Sequence, residues 1–414
     1  MDVPVGRDFG WLWRAYTISA AGTWLALDAF PLIAILALHT TPAQVSLLAA
    51  VGGAMAALLA LPLGPWVEFR RKRPLMIHAD LLRFLILLTV PVAYLLGMLT
   101  YGQLLVVTVG VAVADIVFFA ASGAHLKALV PKEHLVAANG KFENVMWTSS
   151  AVGPPLGGGL LQLLGPVITT ILNAVSFLLS ALAIRMIKAP EPEPPAKQRD
   201  KTGIAEGWRA ITKDPNLRGF FIYSLLTNGL IMATAPLLLY WMVRELNFTT
   251  LQYGLALGIS CLGGVLGARM SRSLVNRFGQ RRILLGFGIA RVIWVPGLVF
   301  IQPGLVGLLV FIGVEFTMIV CMGIFNPVLA AHRLQRANKE TVSRVLTAWT
   351  ISSRATIAAL TALWGVLGSL TSSRTAIAIA GVLLLLIPLS MPWRRQNWES
   401  TESASANDVT TAAT

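Results

Sequence analysis

The chain has 414 residues, of which 56% are hydrophobic and only 13% charged, and its mean hydropathy is +0.71. A soluble protein of this length cannot hide so much apolar surface, so a large soluble domain is excluded and a polytopic membrane protein is expected. The net charge of +14 would point to nucleic acid in a soluble chain; here it should mark the cytoplasmic face, and no nucleic-acid partner is expected.

The opening "MDVPVGRDFGWLWR" lacks the short apolar core and small-residue cleavage site of a signal peptide, so the first long apolar run reads as a retained span. Runs of about 20 apolar residues, enough for one crossing, fall near 11–36, 43–66, 74–98, 103–125, 143–163 and 166–187. After a long polar stretch they resume near 217–240, 249–271, 280–301, 304–327, 342–368 and 373–392. This predicts an all-α membrane protein with 12 transmembrane helices. Between the sixth and seventh spans lies "KAPEPEPPAKQRDKTGIAEGWRAITKDPNLRG". It opens as a Pro/Glu/Lys linker, and its "IAEGWRAI" reads as a short amphipathic helix on the membrane surface. The expected organisation is a six-helix bundle over 1–187, a cytoplasmic linker over 188–216, a second six-helix bundle over 217–395 and a disordered tail over 396–414.

Charge sets the orientation. The connections "HTTPAQ", "LTYGQ", "LLGP" and "IQPG" carry no Lys or Arg, and the other two on that side hold only Arg244 and Arg374. The alternate loops hold Arg70 to Arg73, Lys127, Lys132, Lys141, the basic 185–218 region, Arg269 to Arg282, Arg333 to Arg344, and Arg394 with Arg395. The positive-inside rule then places both termini in the cytoplasm.

The halves echo each other. Arg70 to Arg73 correspond to "NRFGQRR" (276–282), Arg83 in "ADLLRF" to Arg291 in "GIARVI", and Asp115 in "VAVADIVFF" to Glu315 in "FIGVEFTMI". "LVPKEHLVAANGKFENV" before the fifth span resembles "HRLQRANKETVSRVL" before the eleventh. Their common order suggests a duplicated six-helix unit, hence two pseudo-symmetric bundles of the kind that enclose a midplane site in transporters.

With its two six-span halves, basic loop after the second span and long central loop, the chain up to about residue 395 resembles the major facilitator superfamily. That family's loop motif runs Gly, three residues, Asp, Arg, one residue, Gly, then two basic residues. Gly64, Glu68, Lys72 and Arg73 fit, while Phe69 and Arg71 replace the usual Arg and Gly. In the second copy Arg277, Gly279, Arg281 and Arg282 fit, and Asn276 stands where the acid would be. The family's antiporter motif is matched in "GKFENVMWTSSAVGPPLGG" by Gly140, Gly153, Pro154, Gly157 and Gly158, with Ser149 in place of one Gly. In the family this motif marks exporters that exchange substrate for protons; small residues let helices approach closely and Pro bends the span. Within the superfamily, "LVPKEHLVAANGKFENV" and "ADLLRF" most resemble the bacterial macrolide and enterobactin-type exporters. The resemblance implies that Glu68 latches onto the start of the eleventh span. It also implies that spans 1, 4, 7 and 10 line the central cavity, and that the protein sits in the cell inner membrane.

Ionisable residues inside spans are costly and are functional candidates by default. Asp28 lies about 21 Å along the first span from Arg14, at about 1.5 Å per residue, beyond the midplane. Asp115 and Glu315 fall near the middle of the fourth and tenth spans, and the seventh contributes only Asn228. A carboxylate in a low-dielectric cavity can take up and release a proton near neutral pH, and cation binding favours that release. Asp28 is therefore the leading candidate for coupling or substrate recognition. Asp115 and Glu315 either share that task or pair structurally with Arg83, Arg291 or Arg354, the last of these also a possible gate. Trp24, Trp147, Trp241, Trp294 and Trp349 could stack a large apolar substrate or serve packing and interfacial anchoring.

No phosphate loop, zinc-protease motif or nucleophile elbow stands out, and Cys261 and Cys321 form neither metal spacing nor a disulfide framework. No cofactor, metal or enzymatic activity is expected. The sequence thus reads as a monomeric secondary transporter that exports a hydrophobic or amphipathic compound, such as a drug, macrolide or siderophore, against entering protons. An uptake symporter or a lipid transporter of the same fold is the alternative. A non-transporting receptor or scaffold is the alternative of another class, and it would tolerate neutralised buried acids.

Overall fold

The computed structural model describes residues 6–131, 134–191, 205–336 and 341–393. Among these there is no strand. The first bundle contains α1 (Arg7–Leu25), α2 (Ala29–Leu36), α3 (Pro42–Glu68), α4 (Lys72–Leu95), α5 (Tyr101–Leu129) and α6 (Leu135–Arg185). A short α7 (Ala205–Lys213) precedes α8 (Pro215–Tyr240), α9 (Thr250–Phe278), α10 (Gln280–Ile293), α11 (Leu305–Arg336), α12 (Val342–Leu370) and α13 (Ser373–Leu386). The expected tail, Lys132, Arg394 and Arg395 lie outside the described residues.

Two features depart from twelve uninterrupted spans. The first expected span is broken at Ala26–Asp28. Pro31 explains the break: it has no N–H for the carbonyl of Leu27, and its ring would collide with that carbonyl in a continuous helix. Placed in the first turn of α2, the same proline is harmless. The fifth and sixth expected spans run together as α6, 51 residues long, far more than one bilayer crossing needs. Gly165 breaks it with φ 78° and ψ 165°, a backbone geometry open to glycine, so α6 crosses twice. Eleven helices among the described residues are long and apolar enough to cross a membrane, and the double crossing of α6 gives twelve traverses.

Local sequence starts the helices. Thr41 and Gln44 form a reciprocal capping box around Pro42 at the head of α3, and Thr100 accepts from the Gln103 N–H at the head of α5. Asp214 accepts from the Asn216 and Leu217 N–H groups at the start of α8 and also receives Arg336 at 3.0 Å.

The chain divides into two compact units. One comprises Met1–Arg199, Ala235–Ile259 and Thr361–Ser373, so it holds α1 to α6 together with the ends of α8, α9 and α12 that border the cation-poor loops. Within it α1 packs on α6, α4 on α5 and α6, and α3 on α5, around Phe9, Leu12, Tyr16, Phe118, Ala121 and Ile184. The other comprises Asp200–Thr234, Ser260–Leu360 and Arg374–Thr414. There α10 packs on α11, and Phe220 and Tyr223 pack on Phe325. The α7 helix, expected on the membrane surface, is tied to α12 through the Glu206–Arg344 ion pair and a 2.9 Å bond from Trp208 Nε1 to Ser352.

Equivalent contacts fix the register of the duplication. Arg73 donates to the carbonyl of Arg185 at 2.8 Å, and Arg281 donates to that of Trp393 at 3.0 Å, each bond spanning 112 residues. Arg83 lies over Phe118 and Arg291 over Phe325. This register corrects one expected match. Asp115 falls opposite Met322–Gly323, and Glu315 lies about 12 Å earlier in α11, at about 1.5 Å per residue. Apolar helices carry little alignment signal, and one acid in each of two spans does not fix their register.

Candidate functional site

The break between α1 and α2 creates the first candidate site. Asp28, half-buried, precedes α2 but makes no capping bond through its side chain. Its carboxylate has no hydrogen-bond or ion-pair partner among the described residues. It faces a cavity of about 10 Å³, room for about one water molecule, bordered by Trp24, Pro154, Gly157, Gly158, Tyr253 and Gly254.

Glycines close the walls of this cavity. A Cβ on Gly157 would stand 2.3 Å from the Leu25 carbonyl oxygen, and one on Gly153 would stand 2.6 Å from the Trp24 Cβ. On the other side of α6, a Cβ on Gly158 would meet the Thr250 carbonyl oxygen at 2.6 Å, and one on Gly254 would meet the Pro154 carbonyl oxygen at 2.4 Å. Thr250 Oγ1 adds a 3.2 Å bond to Gln162. So α6 lies backbone to backbone against α1 and α9, and only glycine permits that approach. Gly140 differs from the rest of the motif: no atom lies within 4 Å of where its Cβ would be.

A second cluster is centred on Arg83, which is 1% exposed. Its Nη1 donates to Asp115 at 2.7 Å and its Nη2 donates to Asp80, while its plane lies over the rings of Phe118 and Phe177 at 4.4 and 4.1 Å. Asp80, on the same face of α4 three residues before Arg83, was not picked out from the sequence. The signal was present, since an acid and an arginine at i, i+3 are helix-surface neighbours. Arg291, 0% exposed, is held differently. It donates to the side-chain carbonyls of Asn228 and Asn326 and lies over Tyr223 and Phe325. It forms no ion pair among the described residues.

The remaining expected residues are spread more widely. Glu315 is half-buried on α11 near Cys261, and neither it nor the exposed Arg354 has a hydrogen-bond or ion-pair partner among the described residues. Gly64 lies in the last turns of α3, and Arg71, exposed, precedes α4. Lys72 Nζ donates to the carbonyl of Glu68 at 2.7 Å, while the Glu68 side chain is exposed. The N–H groups of Lys72 and Arg73 donate to the Glu191 carboxylate, a typical anion at a helix start. Gly279, with φ 81°, turns the chain between α9 and α10 beside Arg277 and Arg281. Of the tryptophans, Trp24 borders the Asp28 cavity, Trp241 is buried, Trp294 is exposed and Trp349 packs on Arg333 and Phe221. The Trp147 side chain lies outside the described residues.

The chain resembles known proteins along most of its length. The family model described as Major Facilitator Superfamily matches residues 12–353. The chain is 28% identical over 304 residues to the multidrug efflux pump Tap of Mycolicibacterium fortuitum, covering 68% of this chain and 72% of that protein. It is 27% identical over 301 residues to the enterobactin exporter EntS of Escherichia coli K12, covering 67% and 68%. Among solved structures, a bacterial homologue of the iron transporter ferroportin in an inward-facing state superposes with a TM-score of 0.71 at 17% identity, over 93% of this chain and 97% of that one.

Proposed function

The chain belongs to the Major Facilitator Superfamily, and on that premise we propose that it is a proton-coupled exporter of a hydrophobic or amphipathic small molecule. At the coarser level it is a multi-pass membrane transporter for small molecules, not an enzyme. Similarity to two bacterial exporters and the glycine motif of α6 support outward transport. Alternating access moves the compound across the bacterial inner membrane, with the cation-rich loops and both termini on the cytoplasmic side.

The observation that carries the coupling is the bare Asp28 carboxylate at a helix break. Its cavity admits about one water and no organic substrate. That size favours a proton over a drug as the occupant when this end is closed. Protonation neutralises the acid and lets the glycine-lined walls stay shut; loss of the proton leaves a charge that draws water and favours opening. The exposed Glu68 side chain is the candidate for the gating latch that the loop motif implies. Glu315, half-buried on α11, is a second candidate acid for the coupling.

The test is efflux of a panel of lipophilic dyes and macrolides from cells stripped of their own pumps, with and without a protonophore. Export that collapses with the protonophore and fails in Asp28→Asn supports the reading. Proton-dependent export that survives Asp28→Asn moves the coupling to another acid. If nothing in the panel moves, a narrow substrate such as a siderophore or a lipid takes its place.

A further inference from the structure

The two buried arginines differ in one chemical respect. Each lies against two aromatic faces, but Arg83 is held by two carboxylates and Arg291 by two amide carbonyls. An amide oxygen accepts a guanidinium N–H and takes up no proton at ordinary pH. Holding an arginine inside this fold therefore needs no acid at all, and the two acids around Arg83 call for another explanation.

Charge supplies one. With both acids ionised the Asp80–Arg83–Asp115 cluster carries one net negative charge, which is costly inside a membrane bundle. A single added proton brings it to zero. The surroundings leave room for that proton. Asp80 is 0% exposed, its Oδ2 is not held by Arg83, and the Ser180 hydroxyl, also 0% exposed, lies beside it. The Ser180 hydroxyl suits either state of this seat: it can donate to the ionised carboxylate or accept from the protonated one. Asp115, with 30% of its side chain exposed, is the open side of the cluster. From α4, α5 and α6 the groups that face the carboxyls are Arg83, each acid itself and Ser180; no second cation pairs with either acid among the described residues. His125, further along α5, lies instead among Asp8, Arg73, Lys72 and Glu191.

We propose that Asp80 and Asp115, bridged by Arg83, form a binding site for one shared proton, with Asp80 as its inner seat and Asp115 as its outlet. Loading forms one carboxyl O–H bond at the expense of a hydronium ion and takes the cluster from −1 to neutral. Unloading returns that proton to water. The site goes beyond the Asp28 reading and stands independently of it.

The experiment is infrared difference spectroscopy, neutral minus alkaline, on the full-length protein in liposomes with carbonyl-labelled aspartate, in an Asp28→Asn background. Labelling aspartate alone keeps Glu315 silent. The expected result is one protonated aspartyl band that disappears in both Asp80→Asn and Asp115→Asn, because either change leaves a neutral ion pair that needs no proton. Ser180→Ala should shift the band upward as the O–H loses its acceptor. A band that survives either aspartate substitution, or separate bands lost one to each, overturns the proposal. The background protein alone suffices to refute it if it shows no such band, whatever the folding of the variants. The fate of the Asp28 band, read from wild type against Asp28→Asn, bears on the coupling reading alone.

Discussion

Gly157→Ala is the sharpest test of the glycine-closed wall. The new methyl carbon would stand 2.3 Å from the Leu25 carbonyl oxygen, where ordinary contact begins at 3.4 Å. The backbone at the helix break would have to retreat by about 1 Å, and overpacking of this kind costs about 1–3 kcal/mol. That cost falls on the α6–α1 contact inside the first unit, so local opening of this wall should become more frequent by about 5- to 150-fold. Gly140→Ala is the internal control, since nothing lies within 4 Å of its Cβ position. The assay is labelling of Leu161→Cys, a buried residue bordering the Asp28 cavity, with a membrane-impermeant maleimide. Labelling should speed up in Gly157→Ala and not in Gly140→Ala. Equal rates for Gly157→Ala and the parent, or equal acceleration by Gly140→Ala, would refute the reasoning.

Other consequences follow from the same contacts. Arg83→Leu leaves buried Asp80 and half-buried Asp115 without their cation and should cost about 3–5 kcal/mol, whereas Arg291→Leu leaves only amides and should cost less than half of that. Thermal unfolding in detergent compares them. The Arg83→Leu deficit should shrink as pH falls, because protonating Asp80 and Asp115 removes the uncompensated charge; a deficit that grows toward acid would contradict this. Gly207→Ala would place a Cβ 2.3 Å from the Arg344 carbonyl oxygen and should undock α7 from α12. Tryptic cleavage at Arg209 should then accelerate by about 5- to 150-fold, for about 1–3 kcal/mol of overpacking.

The spans were legible in the sequence because bilayer thickness imposes about 20 apolar residues on each crossing. Arg83 and Asp115 stood out because charges are rare in such runs, and the glycine motif because its spacing is that of close helix contact. Three things were hidden. The break at Asp28 depends on Pro31, and proline is common enough in membrane helices not to force a break by itself. Asp80 sits near the head of α4, close to the cationic loop, where an acid reads as interfacial. The replacement of carboxylates by Asn228 and Asn326 around Arg291 could not be seen until α8, α10 and α11 were brought together, since neutral amides draw no attention in an apolar helix.

The central claim is that Asp28 couples proton entry to export, and it is tested most directly in proteoliposomes. The probe is a dye that the intact cells extrude, and two rates are recorded: accumulation driven by an imposed pH gradient, and dye-for-dye exchange without a gradient. The account predicts that Asp28→Asn loses gradient-driven accumulation by at least about tenfold, equivalent to about 1.4 kcal/mol, while exchange persists. Gradient-driven accumulation at the wild-type rate in Asp28→Asn would contradict it.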